Sequence, residues 1–121
     1  MTDQKTTIED LKKKVQSFCE ARDWDQYHNA KDLAIGIITE ASELLEHFRF
    51  KNEAEIEKFF HDPKKKGEIE SELADILWFL VRIAQRYDID LSKTLNAKIA
   101  LNEKRYPVEK VKGKSVKYTE L

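Results

Sequence analysis

The chain has few of the residues that turn or crosslink a backbone. Three glycines and two prolines interrupt 121 residues. That is too little punctuation for the repeated tight turns of a hairpin-built sheet, so an all-β reading is poor. A single cysteine, Cys19, excludes an internal disulfide. It falls on the apolar stripe of a predicted helix and reads as a small buried hydrophobe. No apolar run is long enough to cross a bilayer and no signal-peptide pattern opens the chain, so the expectation is a cytoplasmic protein without a membrane partner. The formal charge is −1, which offers no support for a general nucleic-acid binder, since that function favours a strongly basic face.

The residues present are 37% charged and 40% hydrophobic, a balance that suits a helical bundle with a charged exterior. The length fits one domain, 1–121, with residues 1–6 and 108–121 as tails. The expected fold is all-α, with four main helices and a short connecting one. Thr6 and Glu9 have capping-box spacing and open a first helix whose stripe is Ile8, Leu11, Val15, Phe18 and Cys19. The segment from Arg22 to His28 (Arg-Asp-Trp-Asp-Gln-Tyr-His) breaks that period and reads as an aromatic loop. Asn29 can cap a second helix over 30–50, with Leu33, Ile37, Ile38, Leu44, Leu45 and Phe48 inward. A connecting helix spans 53–61. Asp62-Pro63 then starts a third long helix over 63–87, with Ile69, Leu73, Ile76, Leu77, Leu80 and Ile83 inward. Asp90 begins a fourth that runs to about Arg105, with Leu95 and Ile99 inward, and Pro107 ends it. The basic remainder, 108–121, lacks helical period.

Two acid pairs stand out, Glu40-x-x-Glu43 and Glu72-x-x-Asp75. Residues three apart share a helix face, so each pair projects both carboxylates together, beside an apolar stripe. Like charges there repel, and partial burial raises the cost. A divalent cation would remove the conflict, and four oxygen ligands from two packed helices suit Mg²⁺, with Mn²⁺ as a substitute. Lys98, Asn102 and Arg105 share one face of the fourth helix, where the cations could hold phosphates. The rings of Trp24, Tyr27, His28 and Phe50 offer surfaces for a nucleobase. Together these pieces describe a site for a nucleoside triphosphate, where a carboxylate-activated water could attack phosphorus.

Plainer readings apply to the same residues. Acids at helical spacing also make a solvated face, Lys98 to Arg105 is compatible with bare surface, and Trp24 and Phe50 with core. His28 and His47 read equally as ordinary polar residues. A di-iron bundle would need a Glu-x-x-His motif on each of two helices, and none is present.

The pattern Glu-x-x-Glu, then Glu-x-x-Asp about thirty residues on, resembles the all-α MazG-like nucleotide pyrophosphohydrolases. Three further segments are similar to the dCTP pyrophosphatase branch: Arg22 to His28, the run from Lys98 through Asn102 and Arg105 to Tyr106-Pro107, and the ending Gly-Lys-Ser-Val-Lys-Tyr-Thr from Gly113. The resemblance covers residue 8 to the end. It implies an Mg²⁺-dependent hydrolysis of a dNTP, with dCTP and its 5-substituted forms first, to the monophosphate and pyrophosphate. By that match Glu40, Glu43, Glu72 and Asp75 are the metal ligands, and Glu40 or Glu43 also orients the attacking water. Lys98, Asn102, Arg105 and Tyr106 would hold phosphates or sugar, Trp24 and His28 would help form the base pocket, and Lys114 and Tyr118 belong to a tail that closes over a site. A homo-oligomer, dimer or tetramer, is implied. Two residues depart from the branch: Phe50 replaces a frequent Trp, and Phe79 a frequent Tyr. Both still line the implied substrate site, but each has lost a hydrogen-bonding group, which leaves base selectivity less fixed than reaction type. Another nucleotide specificity, or a helical module that binds without turnover, remains compatible with the same residues.

Overall fold

The computed structural model describes all 121 residues and is all-α, without a strand. The helices are α1 (Ile8–Glu20), α2 (Ala30–Phe48), α3 (Glu53–Phe59), α4 (Pro63–Arg86), α5 (Leu91–Arg105) and the single turn α6 (Val108–Val111). Short 3₁₀ turns lie at Asp25–Tyr27 and Tyr118–Glu120. The four main helices and the connecting α3 match the sequence expectation. The segment after Pro107 departs from it, because α6 and the last 3₁₀ turn are too short to leave a periodic signal.

Side-chain caps set the boundaries. Asn29, Asn52, Asp62 and Asp90 each accept a backbone N–H from the first turn of the helix that follows. Pro63 sits at the first position of α4, where its missing N–H costs nothing. The α1 capping box differs by one residue from the expected Thr6/Glu9 pair. Thr7 is the N-cap, its hydroxyl accepting from the Asp10 N–H at 3.1 Å, while the Asp10 carboxylate accepts from the Thr7 N–H at 2.9 Å. A Thr-Thr sequence offers both registers, and the structure uses the later one. α2 stops at Phe48 rather than Phe50, because Arg49 already leaves the helical region (φ −58°, ψ 137°) and Phe50 follows in a left-handed backbone (φ 63°).

The chain packs as two compact units, Met1–Asp88 and Ile89–Leu121. In the first, α4 is the hub: α2 packs along it most extensively, and α1 and α3 also lie against it. Leu33, Ile69, Val81, Ala84 and Cys19 are buried there. Much of the expected inward stripe stays open. Ile38 is 72% exposed and Leu45 60%, and Leu73, Leu77 and Leu80 remain substantially exposed as well. These helices carry apolar residues on more sides than their own chain covers. In the second unit, Leu95 and Ile99 are likewise exposed rather than packed inward. There the Tyr118 ring meets the Tyr106 ring edge-on at 5.9 Å, and the Arg105 guanidinium lies 4.7 Å from the Tyr118 centroid.

Leu33→Ala removes a fully buried side chain and is expected to cost about 2–5 kcal/mol in urea unfolding. Thr7→Ala, which deletes one cap, is expected to cost about 1 kcal/mol.

Candidate active site

The α2–α4 contact brings acids from both helices to one place. Carboxylate oxygens of Glu40, Glu43 and Glu72 all lie within 4.8 Å of one another. Asp75 falls outside that group, although its charge still acts on Glu40. One turn before Glu40, Gly36 permits a close approach of the helices: a Cβ there would come within 2.4 Å of the Phe79 ring. Phe79, one turn beyond Asp75, is thus pressed against α2, and it meets Trp78 edge-on at 5.1 Å.

The acids are poorly satisfied. One oxygen each of Glu40 and Glu72 is buried without a hydrogen-bond partner, an arrangement that costs free energy unless something compensates it. Burial is the main cause that pushes the Glu40 carboxyl above the usual glutamate range, followed by its hydrogen bond with Glu43 and by the charges of Glu43, Asp75 and Glu72. Orphaned, clustered, all-oxygen ligands are what a hard divalent cation requires, so the residues present fit Mg²⁺ or Mn²⁺.

His47, which the sequence left as an ordinary polar residue, borders this cluster. Its Nδ1 accepts from the Lys65 ammonium at 3.1 Å, and its Nε2 lies 3.5 Å from Glu72. Lysine can only donate, so the imidazole hydrogen must reside on Nε2, facing the carboxylate.

The Arg22–His28 loop is fastened to α4 through two arginines. Arg82 donates to the Asp25 carboxylate, to Gln85 and, from Nε, to His28 Nδ1 at 2.9 Å. Arg86 reaches the Asp25 carboxylate at 3.9 Å and the Asp25 and His28 carbonyls at 3.4 Å. The Tyr87 hydroxyl accepts from the Ala30 N–H at 2.7 Å, where α2 begins. His28 sits edge-on to Trp24 at 5.9 Å and to Trp78 at 5.7 Å. The sequence reading placed Trp24 and His28 in one loop but missed Trp78, Asp25 and the partners of Arg82. A signal was available: Trp78 and Arg82 are four apart on α4, and an arginine on the border of an apolar stripe requires an acid.

Phe50 stands apart from these rings, 88% exposed, with Arg49 stacked 4.6 Å from its centroid. Lys98 and Asn102 are exposed on α5, and the Asn102 carbonyl accepts the Tyr106 N–H at 2.8 Å. Lys114 is also exposed and follows α6. Arg105, Tyr106 and Tyr118 gather at the end of α5.

A family model described as the MazG-like family matches residues 35–121. The chain belongs to the MazG-like family. The matched span contains both acid pairs. Among curated relatives, dCTP pyrophosphatase 1 of Rattus norvegicus is 36% identical over 115 residues, 95% of this chain and 68% of that protein. The Homo sapiens dCTP pyrophosphatase 1 is 34% identical over the same shares of the two chains. A crystal structure of a pyrophosphatase from Archaeoglobus fulgidus superposes with a TM-score of 0.78 at 30% identity, covering 88% of this chain and 98% of that one.

A carboxyl whose folded pKa is raised contributes most to stability below its unfolded value, and the contribution is lost as pH rises through the folded value. Metal-free protein should therefore lose stability as pH rises from the acidic range toward neutrality on account of Glu40. Glu40→Gln is expected to raise the metal-free melting temperature at neutral pH. Mg²⁺ or Mn²⁺ is expected to raise that of the wild type more than that of the variant, as differential scanning fluorimetry would read. Equal responses of the two proteins to the cation would remove Glu40 from the site.

Proposed function

We propose that this protein hydrolyses pyrimidine deoxynucleoside triphosphates, dCTP and 5-modified dCTP first, to the monophosphate and pyrophosphate, and so clears the nucleotide pool. It is a hydrolase acting on acid anhydrides. The observation that carries this reading is the cluster of Glu40, Glu43 and Glu72 with two orphaned buried oxygens, on a MazG-like fold. The names of the curated relatives support the substrate.

Glu40, Glu43, Glu72 and Asp75 are assigned to hold Mg²⁺, with Mn²⁺ as a substitute. When bound, the cation would neutralise the acids and offset charge on the triphosphate oxygens. Glu40 or Glu43 orients a water and accepts its proton. Burial raises the basicity of Glu40, which favours proton uptake by this group. The hydroxyl oxygen adds to the α-phosphorus, the bond to the bridging oxygen breaks, and pyrophosphate leaves. Lys98, Asn102, Arg105 and Tyr106 bind phosphates or sugar. Trp24, His28, Phe50 and Phe79 form the base side, and Lys114 and Tyr118 belong to the covering tail. The strained, exposed backbone position of Phe50 supports a role outside the fold's own packing.

Residues 1–121 act as one catalytic domain, in the cytoplasm, as a homo-oligomer. Ile35 and Ile38 on α2 and Leu73, Leu77 and Leu80 on α4 are 40–72% exposed, more apolar surface than a lone helical protomer favours. Ile38→Asp is expected to yield a smaller species in sedimentation velocity. An unchanged mass would remove this face from the assembly.

With Mg²⁺, mass spectrometry of a dNTP panel is expected to find dCMP and pyrophosphate as products of dCTP. Glu43→Gln is expected to fold normally and lose roughly 10²–10⁴-fold in turnover. Intact dCTP after prolonged incubation with the wild type would overturn the substrate assignment, and a wild-type rate in the variant would clear Glu43 of its role.

A further inference from the structure

Arg82 is completely buried, and a guanidinium cannot shed its charge to relieve that cost. Two of its contacts are those expected of a buried cation: the Asp25 carboxylate and the Gln85 side-chain oxygen. The third is not. Its Nε–H points at His28 Nδ1, 2.9 Å away. Arginine has no acceptor, so Nδ1 must present a bare lone pair. A neutral imidazole has one ring hydrogen, which then resides on Nε2.

The charges facing His28 hold the ring in that form. Arg82 and Arg86 approach from α4, and Asp25, the one carboxylate nearby, is already engaged by both. A proton on Nδ1 would set an N–H against the N–H of a permanent cation. Burial, then Arg82, then Arg86 lower the His28 pKa below the usual histidine value, and Asp25 opposes them. Trp24 and Trp78 flank the ring edge-on.

We infer that Arg82 is a positioning residue that locks His28 as an Nε2–H donor, so that the base pocket selects a nucleobase edge carrying an acceptor, a carbonyl oxygen or a bare ring nitrogen. This rests on the assignment of His28 to the base side of the site. Cytosine presents both acceptors. A donor with a fixed hydrogen rejects an edge that offers only donors, because one of the two polar groups would be left unpaired. A freely titrating histidine would present a donor at both nitrogens when protonated, and either tautomer when neutral.

The test is long-range ¹H–¹⁵N correlation spectroscopy of the histidine rings in the full-length protein between about pH 5 and 8, with His28→Gln used to assign the His28 signals. The expected spectrum near neutral pH is a neutral ring with its hydrogen on Nε2. In Arg82→Gln the ring is expected to lose its fixed tautomer and to titrate at higher pH than in the wild type, since the buried ring then faces Asp25 without the Arg82 cation. The KM for dCTP should then rise by up to about tenfold, the equivalent of one neutral hydrogen bond, while kcat stays within about twofold. A wild-type ring that carries its hydrogen on Nδ1, or is protonated near neutrality, would overturn the inference without touching the proposed reaction. So would an Arg82→Gln enzyme that loses kcat and KM in step with its melting temperature. Should that variant not fold, the wild-type spectrum alone decides. Failure of dCTP turnover would strike the substrate assignment and leave the spectrum to judge the ring.

Discussion

The arrangement of this protein depends on a conflict between like charges. Glu40 and Glu43 on α2 and Glu72 on α4 bring carboxylates together at the seam between the two longest helices. One oxygen of Glu40 and one of Glu72 have no partner there. A folded chain seldom keeps such a cluster unless a ligand removes the repulsion. Oxygen-only donors narrow that ligand to a hard cation, and a hard cation among acids suits a polyphosphate. Gly36 keeps the seam tight one turn from the acids, since any side chain there would strike Phe79.

A second electrostatic arrangement complements the first. The aromatic loop between α1 and α2 has little regular structure to hold it, only one 3₁₀ turn. Arg82 and Arg86 supply the hold, joining Asp25 and His28 to the last turns of α4. The same helix therefore carries an acid of the cluster at Glu72 and the cations that fix the rings. Any shift of α4 would move both, so one rigid element would couple the proposed metal side of the site to the proposed base side.

Helix starts were readable in the sequence wherever a capping side chain had no competitor. Asn29, Asp62 and Asp90 fall where expected, while the Thr6-Thr7 pair offered two registers and the later was used. The acid pairs were readable because i,i+3 spacing is a local property. The His28–Arg82 bond was not, because it joins residues 54 apart and depends on where a loop lands. His47 was undervalued for the same reason: its partners, Lys65 and Glu72, are on another helix. The apolar stripes were read correctly as stripes but assigned wholly to the core. Periodicity shows that a face is apolar and does not show whether the same chain covers it, so Ile38, Leu45 and Leu73 remained exposed.

The central claim is that divalent cation binding resolves the acid cluster, and anomalous diffraction from crystals grown with Mn²⁺ tests it most directly. The account predicts a peak bonded to oxygens of Glu40, Glu43 and Glu72. A fully active enzyme whose Mn²⁺ binds elsewhere, with these three carboxylates left uncoordinated, would contradict it.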